Sequence, residues 1–306
     1  MQEQMERLQN IVQALGLSNM DIARISGKST GTVSQVMSQK YRGRPEVVGE
    51  ILAALEAYEV RMTSEMQEAH DAAKWATEGQ RLIQTVLHLT YETQGFSVVV
   101  GPSGIGKTYT AEDFLARHPG RAQYLRCADG MCMGDVIDAL LELTGTPGYG
   151  SNSQKLKRAI RALKDQDVRM ILVDEADLLV TDGSKPKILK KISVFREVKE
   201  AGIAVSLIGL DSFDTALRAV GETYVTSRID LYRHAGNPTQ AELAHYLAYL
   251  GHDPETEGGR LAVSLAPKNG SMRFVSKAAQ IAKQLSGNMM EALRLLFAAS
   301  GHVKGA

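Results

Sequence analysis

Two short stretches concentrate the side chains able to act on a phosphoanhydride. The first is GPSGIGKT, residues 101–108. Glycines at 101, 104 and 106 let successive backbone N–H groups turn toward one anion, and the helix expected next aims its positive end at the same place. Lys107 supplies a mobile cation for the β- and γ-phosphates of ATP, and Thr108 a hydroxyl for Mg2+. The nucleotide-contacting set is thus Gly101, Pro102, Ser103, Gly104, Ile105, Gly106, Lys107, Thr108 and Tyr109. The second stretch is VRMILVDEAD, residues 168–177, an apolar run that ends in acids. Asp174 suits the metal shell, and Glu175 suits a base that polarises water for in-line attack on the γ-phosphate. A glycine-rich turn or an acidic surface loop would share some of these letters. The apolar run of residues 97–100 before the first motif, and the run before the second, favour the catalytic reading.

Those side chains need a scaffold, and the pattern around them alternates. Short apolar runs at 97–100, 168–174, 203–208 and just after Arg228, with AQYLRC at 122–127, are separated by helical periodicities. This is the signature of an α/β P-loop core with a parallel sheet, which places ligands at the carboxyl ends of its strands. Thr77 and Gln80 have capping-box spacing for a helix ahead of the first strand. Trp75 serves either as core packing or as a wall beside adenine. Asp211 or Ser212, after the fourth run, is placed to sense phosphate through water; either serves equally as a helix cap. Arg228 carries the planar fork suited to a neighbouring subunit's γ-phosphate, although a solvent-facing arginine would look the same. After Asn237 and Pro238 the strands cease and amphipathic helices follow, expected to form a lid. Arg273 lies near the start of the third of these helices.

The first 59 residues read differently. Leu8, Ile11, Val12 and Leu15 share one helical face, Gly16 stops that helix, and Ser18 with Asp21 has capping-box spacing for the next. Ala23, Gly27 and Val33 then fit a helix-turn-helix: a small residue where helices cross, a glycine at the turn, and a β-branched residue in the junction. The second helix offers Thr30, Thr32, Ser34 and Gln35 as polar contacts. Lys28, Lys40, Arg42 and Arg44 flank it as groups for phosphates. A small protein-binding bundle is the competing reading. The expected organisation is multidomain: an all-α helix-turn-helix domain over 1–59, a helical linker over 60–74, the ATPase core over 75–236 and a helical lid over 237–306.

Composition narrows the classes. The 306 residues carry 35 basic and 35 acidic side chains, so no global charge draws the chain to nucleic acid, although a local basic face remains open. No apolar run approaches the ~20 residues needed to cross a bilayer, and the first residues lack a secretion signal, so a cytoplasmic protein with no membrane partner is expected. Cys127 and Cys132 are the only cysteines and are expected to stay reduced. The seven histidines show no zinc-site spacing.

Taken together, the phosphate loop, the acidic strand end, the repressor-like front and the helical lid resemble the AAA+ ATPases. The likeness is to their transposition-associated branch, which includes the target-DNA activators of Mu-like bacteriophages. The resemblance implies ATP-promoted self-association into a helical filament on duplex DNA, presentation of that DNA to a DDE-type transposase, and release on hydrolysis. It assigns Gly101, Gly106, Lys107 and Thr108 to the phosphate loop, and Asp174 with Glu175 to metal binding and hydrolysis. Arg228 becomes the intersubunit finger and Arg273 the lid sensor, while Asp211 is an unusual first sensor. It also gives a use to two basic stretches. Lys157, Arg158, Arg161 and Lys164 lie on one expected helix, and Lys185, Lys187, Lys190 and Lys191 on an expected loop; both would suit a DNA backbone. Solvated faces would look alike. A helicase loader or replication-protein remodeller is the other function that uses such a motor.

Overall fold

The computed structural model describes residues 2–15, 19–44, 46–58, 76–181, 184–220 and 228–299. The chain divides into two compact units, Met1–Ala72 and Ala73–Ala306. Trp75, Ser18 and the expected linker over 60–74 lie outside the described residues.

In the first unit, helices α1 (Gln2–Leu15), α2 (Asn19–Ser26), α3 (Thr30–Met37) and α4 (46–58) enclose a small core. Leu8, Ile11, Ile22, Val33, Ile51 and Leu55 are fully buried there, with Ala23 and Val36 beside them. Gly27 takes φ 67°, a left-handed conformation that only glycine adopts freely, and so turns the chain from α2 into α3. Ser29 caps α3 by accepting the Thr32 N–H at 3.1 Å.

The second unit opens with α5 (Glu78–Thr93), whose Thr77–Gln80 capping box forms as expected. The chain then runs β1 (Phe96–Val100), α6 (Lys107–Arg117), β2 (Ala122–Arg126), α7 (Met133–Leu143), α8 (Asn152–Asp165) and β3 (Met170–Asp174). A 3-10 turn (Ala176–Leu179) leads to α9 (Lys185–Glu200), β4 (Ala204–Gly209), α10 (Asp211–Val220) and β5 (Leu231–His234). Four helices close the described chain: α11 (Gln240–Tyr249), α12 (Glu257–Leu265), α13 (Ser271–Gln284) and α14 (Met289–Ala299).

The five strands form one sheet in the order β2-β3-β4-β1-β5, every pair parallel. Every residue of β1, β3 and β4 is buried, which explains why these strands read as continuous apolar runs rather than as alternations. Side chains still alternate between faces. Phe96, Val98, Val100, Ile171, Val173, Val205 and Leu207 share a core with α7, α8 and α9, while Val99, Met170, Leu172 and Ile208 meet α5 and α6. The buried polar pair Ser97 and Ser206 stands in register on adjacent strands, and its hydroxyls bond at 2.9 Å. No described helix is long and apolar enough to cross a membrane.

One element departs from expectation. The lysine-rich stretch 185–191 is not a loop but the first two turns of α9, with Pro186 in the first turn, where its missing N–H costs nothing. Ile188, Ile192 and Phe195 recur at helical spacing and bury against the sheet. Lys191 sits on that same side and is only 4% exposed, so it does not belong to a solvent-facing basic surface.

Candidate nucleotide-binding site

The carboxyl ends of β1, β3 and β4 bring the two motifs together. Gly104 and Gly106 take φ 81° and 96° in the loop that leaves β1. A Cβ on Gly104 would also run into the Gly270 carbonyl, so glycine is required there twice over. Helix α6 then begins at Lys107 with no side-chain cap, leaving its first N–H groups for an anion.

Lys107 is 9% exposed, and its Nζ donates to the carbonyls of Gly101 and Pro102, each at 2.7 Å. Burial lowers its pKa, while the carboxylates of Asp174, Asp211 and Asp177 pull in the other direction. Across the cleft, Thr108 Oγ1 donates to Asp174 Oδ2 at 2.7 Å. The Glu175 N–H donates to Oδ1 of the same carboxylate at 2.8 Å. A cradle of backbone donors, a buried cation and a hydroxyl–carboxylate pair fit a nucleotide triphosphate with its Mg2+.

Glu175 leaves β3 at φ 54°. Its Oε1 receives Arg126 Nη2 at 2.6 Å, and this hydrogen bond is the main reason its pKa is lowered. Asp177, the last acid of the motif, does something else. Its Oδ1 accepts the Leu210 N–H at 3.0 Å, tying the end of β4 to the turn after β3.

The sensor candidates separate. Asp211 opens α10, and its carboxylate meets His234 Nε2 at 2.8 Å, across the end of β1. Ser212 is exposed. Arg273, on α13, reaches the phosphate loop: its N–H donates to the Gly104 carbonyl at 3.3 Å, and its Nη1 lies 3.5 Å from Ser103 Oγ. Its charge is felt at both Lys107 and Glu175. Tyr109 is exposed on α6. Arg228 is not brought into this site. It precedes β5, at the amino end of the strands, with Nη1 3.0 Å from Glu200 Oε1.

Sequence reasoning missed two residues. Tyr124 Oη donates to Asp174 Oδ2 at 2.9 Å, and Arg126 holds Glu175. Both lie on β2, two positions apart and therefore on one face, with Arg126 in register with Asp174. The available signal was slight: Tyr124 and Arg126 stand two apart in AQYLR.

The basic candidates divide as well. On α8, Lys157, Arg161 and Lys164 are exposed. Arg158 instead stacks 3.9 Å over the Tyr149 ring and donates to the Tyr149 carbonyl, so it is engaged within the fold. On α9, Lys185, Lys187 and Lys190 are exposed. In the first unit Lys28 pairs with Glu50, and Thr32 bonds Ser29 at 2.9 Å; Thr30, Ser34, Gln35, Lys40, Arg42 and Arg44 face solvent.

Residues 89–217 match the AAA domain family. The ATP-dependent target DNA activator B proteins of Escherichia phages D108 and Mu are each 28% identical over 188 residues. That alignment takes in 60% of this chain and 56% of each phage protein. The Mu-like prophage FluMu DNA transposition protein B of Haemophilus influenzae is 24% identical over 66% of this chain and 67% of its own length. The chain thus resembles the AAA+ ATPases of the transposition-associated group. Among solved structures, the ORC2 protein of Aeropyrum pernix, in complexes with ADPNP and ADP, superposes with a TM-score of 0.52 over 70% of this chain and 66% of its own, at 14% identity. This likeness shows the fold alone.

Proposed function

We propose that this chain is an ATP-dependent DNA-binding protein of transposition, which assembles on target duplex DNA as a filament, presents it to a DDE-type transposase, and disassembles on hydrolysis. The carrying observation is the convergence on one cleft of Lys107, the Thr108–Asp174 pair, Glu175 and Arg273. The names of the relatives direct that motor toward target DNA. Residues 1–59 are the helix-turn-helix reader, 60–74 the linker, 75–236 the core and 237–306 the lid.

In this reading the loop N–H groups and Lys107 bind the phosphates and absorb charge as the γ-phosphoryl leaves. Thr108 and Asp174 would hold Mg2+, which would supply positive charge against the phosphates. Glu175, which the bond from Arg126 helps to keep ionised, takes the proton of the attacking water. Arg273 links the lid to the occupied loop. Arg228 acts on a neighbour's nucleotide.

Electron microscopy of the chain with duplex DNA tests this directly. Regular decoration is expected with ATP and not with ADP. Glu175→Gln removes the base at nearly constant shape, so it should keep nucleotide binding and hold filaments on DNA while hydrolysis falls by about 10²-fold or more. Filaments that form equally with ADP, or a Glu175→Gln chain that turns over normally, would refute the assignment.

A further inference from the structure

Strand β2 is an edge of the sheet, paired only with β3, and it turns Tyr124 toward the acidic end of that neighbour. We propose that Tyr124 is a positioning residue for the divalent cation. Its hydroxyl fixes Asp174 Oδ2, and by fixing that oxygen it keeps the lone pairs of Thr108 free for the metal. This rests on the reading of Thr108 and Asp174 as the metal side of the site, and adds the residue that sets how tightly the pair holds Mg2+.

Asp174 is only 3% exposed, and its Oδ2 accepts two hydroxyls, Thr108 Oγ1 at 2.7 Å and Tyr124 Oη at 2.9 Å. Its Oδ1 takes the Glu175 N–H at 2.8 Å, so both oxygens are held. The two hydroxyls are mounted differently. Thr108 stands in the first turn of α6, directly after the phosphate loop. Tyr124 springs from the sheet itself, in register with Leu172, and its ring packs against the apolar cluster that includes Ile83, Phe114 and Leu172. Its hydroxyl is therefore anchored independently of the loop. Asp174 lies two residues beyond Leu172, which makes it the diagonal neighbour of Tyr124 on the same face. An aromatic side chain spans such a diagonal; a serine or threonine would fall short.

A hydroxyl has one proton and two lone pairs. Thr108 gives its proton to Asp174, which leaves both lone pairs available to a cation beside the phosphates. That arrangement lasts only while Oδ2 stays within reach of Thr108. Rotation of the carboxylate about its last bond would carry Oδ2 away, and the bond from Tyr124 opposes this rotation. Removing a partner that touches a metal ligand rather than the metal typically changes metal affinity by about 10–100-fold. The phosphate-binding cation is tied elsewhere, because Lys107 donates to the loop carbonyls. The effect of Tyr124 should therefore fall on the metal requirement and spare metal-free nucleotide binding.

The test uses the full chain without DNA and a fluorescent, non-hydrolysable ATP analogue, titrated in EDTA and then over a series of Mg2+ concentrations. The parent chain should bind the analogue more tightly as Mg2+ rises. Tyr124→Phe removes the hydroxyl and keeps the ring. It should match the parent in EDTA but need on the order of tenfold more Mg2+ for half of the gain. ATP hydrolysis should shift along the Mg2+ axis in the same way and reach a near-parental plateau at saturation, because Tyr124 acts through Asp174. Thermal melts in EDTA that nearly coincide would show that the fold is intact. In an Asp174→Asn background, Tyr124→Phe should add no further shift. An unshifted Mg2+ requirement, an equal weakening with and without Mg2+, or an undiminished effect on top of Asp174→Asn would overturn the role of Tyr124 and leave the nucleotide site standing. A parent chain that binds the analogue regardless of Mg2+ would overturn the metal assignment of Thr108 and Asp174 as well.

Discussion

At the scale of single residues, the acids of DEAD are set apart by what holds them rather than by their letters. Asp174 receives Thr108 and Tyr124 on one oxygen and the Glu175 N–H on the other, so its carboxylate is fixed against rotation. Burial and the neighbouring Asp174 raise the Tyr124 pKa, keeping that hydroxyl a donor at any physiological pH. Glu175 is held by a single partner, Arg126, which lowers its pKa. A base works only when ionised, so this pairing extends its activity toward acid. Replacing Arg126 with Ala should therefore move the acid limb of the hydrolysis profile to higher pH, with the neutral plateau retained. The stability consequence has the matching sign: a depressed carboxylate pKa stabilises the fold above it, and that contribution is lost as pH falls through it. The Arg126 side chain is 66% exposed and that of Glu175 39%, so solvent screens the pair and melting should barely change. Steady-state hydrolysis over about pH 5–8, beside thermal melts at each pH, checks both parts. An unmoved acid limb would mean that Arg126 does not govern the base.

At the scale of elements, α9 shows where a charge run misleads. Its lysines suggest a solvated loop, yet Ile188, Ile192 and Phe195 impose a helix whose buried side takes Lys191 with it. Only Lys185, Lys187 and Lys190 remain available to DNA. Replacing these three by Ala should weaken filament binding on unrelated sequences alike and flatten its salt dependence, by roughly 0.9 unit of slope per phosphate released. Changing Lys191 alone should lower thermal stability, since its stem packs in the core, and leave the salt slope alone. Binding titrations at several salt concentrations separate the two; an unchanged slope in the triple variant removes α9 from the DNA surface. The same contrast explains what the sequence disclosed. Strands β1, β3 and β4 were legible because a doubly covered parallel sheet leaves continuous apolar runs, and the phosphate loop because its backbone geometry demands glycine. Tyr124 and Arg126 were not, because their roles arise from β2 lying beside β3, and that neighbourhood belongs to the tertiary pairing. Asp211 was read as a sensor or a cap; its bond to His234 depends on β5 flanking β1 and has no local signature.

For the whole molecule, the decisive asymmetry is between the two ends of the sheet. The phosphate loop and its acids lie at the carboxyl ends of the strands, whereas Arg228 precedes β5 at the amino ends, beside Glu200. A guanidinium there cannot serve its own nucleotide. If it serves any, the contact must cross to another copy, and a head-to-tail contact of that kind repeats along a filament. This makes the role of Arg228 testable by mixing. Lys107→Ala should lose phosphate engagement in its own cleft while still offering an intact Arg228. Arg228→Ala should fold and bind nucleotide normally but hydrolyse slowly once assembled. In an equal mixture with random order, about a quarter of the head-to-tail contacts join an intact Lys107 to an intact Arg228. DNA-stimulated hydrolysis should rise accordingly above that of either variant alone. The comparison needs mixed filaments verified by labels on both variants, because separate assembly would mimic a failure to rescue. Verified mixed filaments with no gain, together with parental activity for Arg228→Ala by itself, would reduce Arg228 to the surface partner of Glu200.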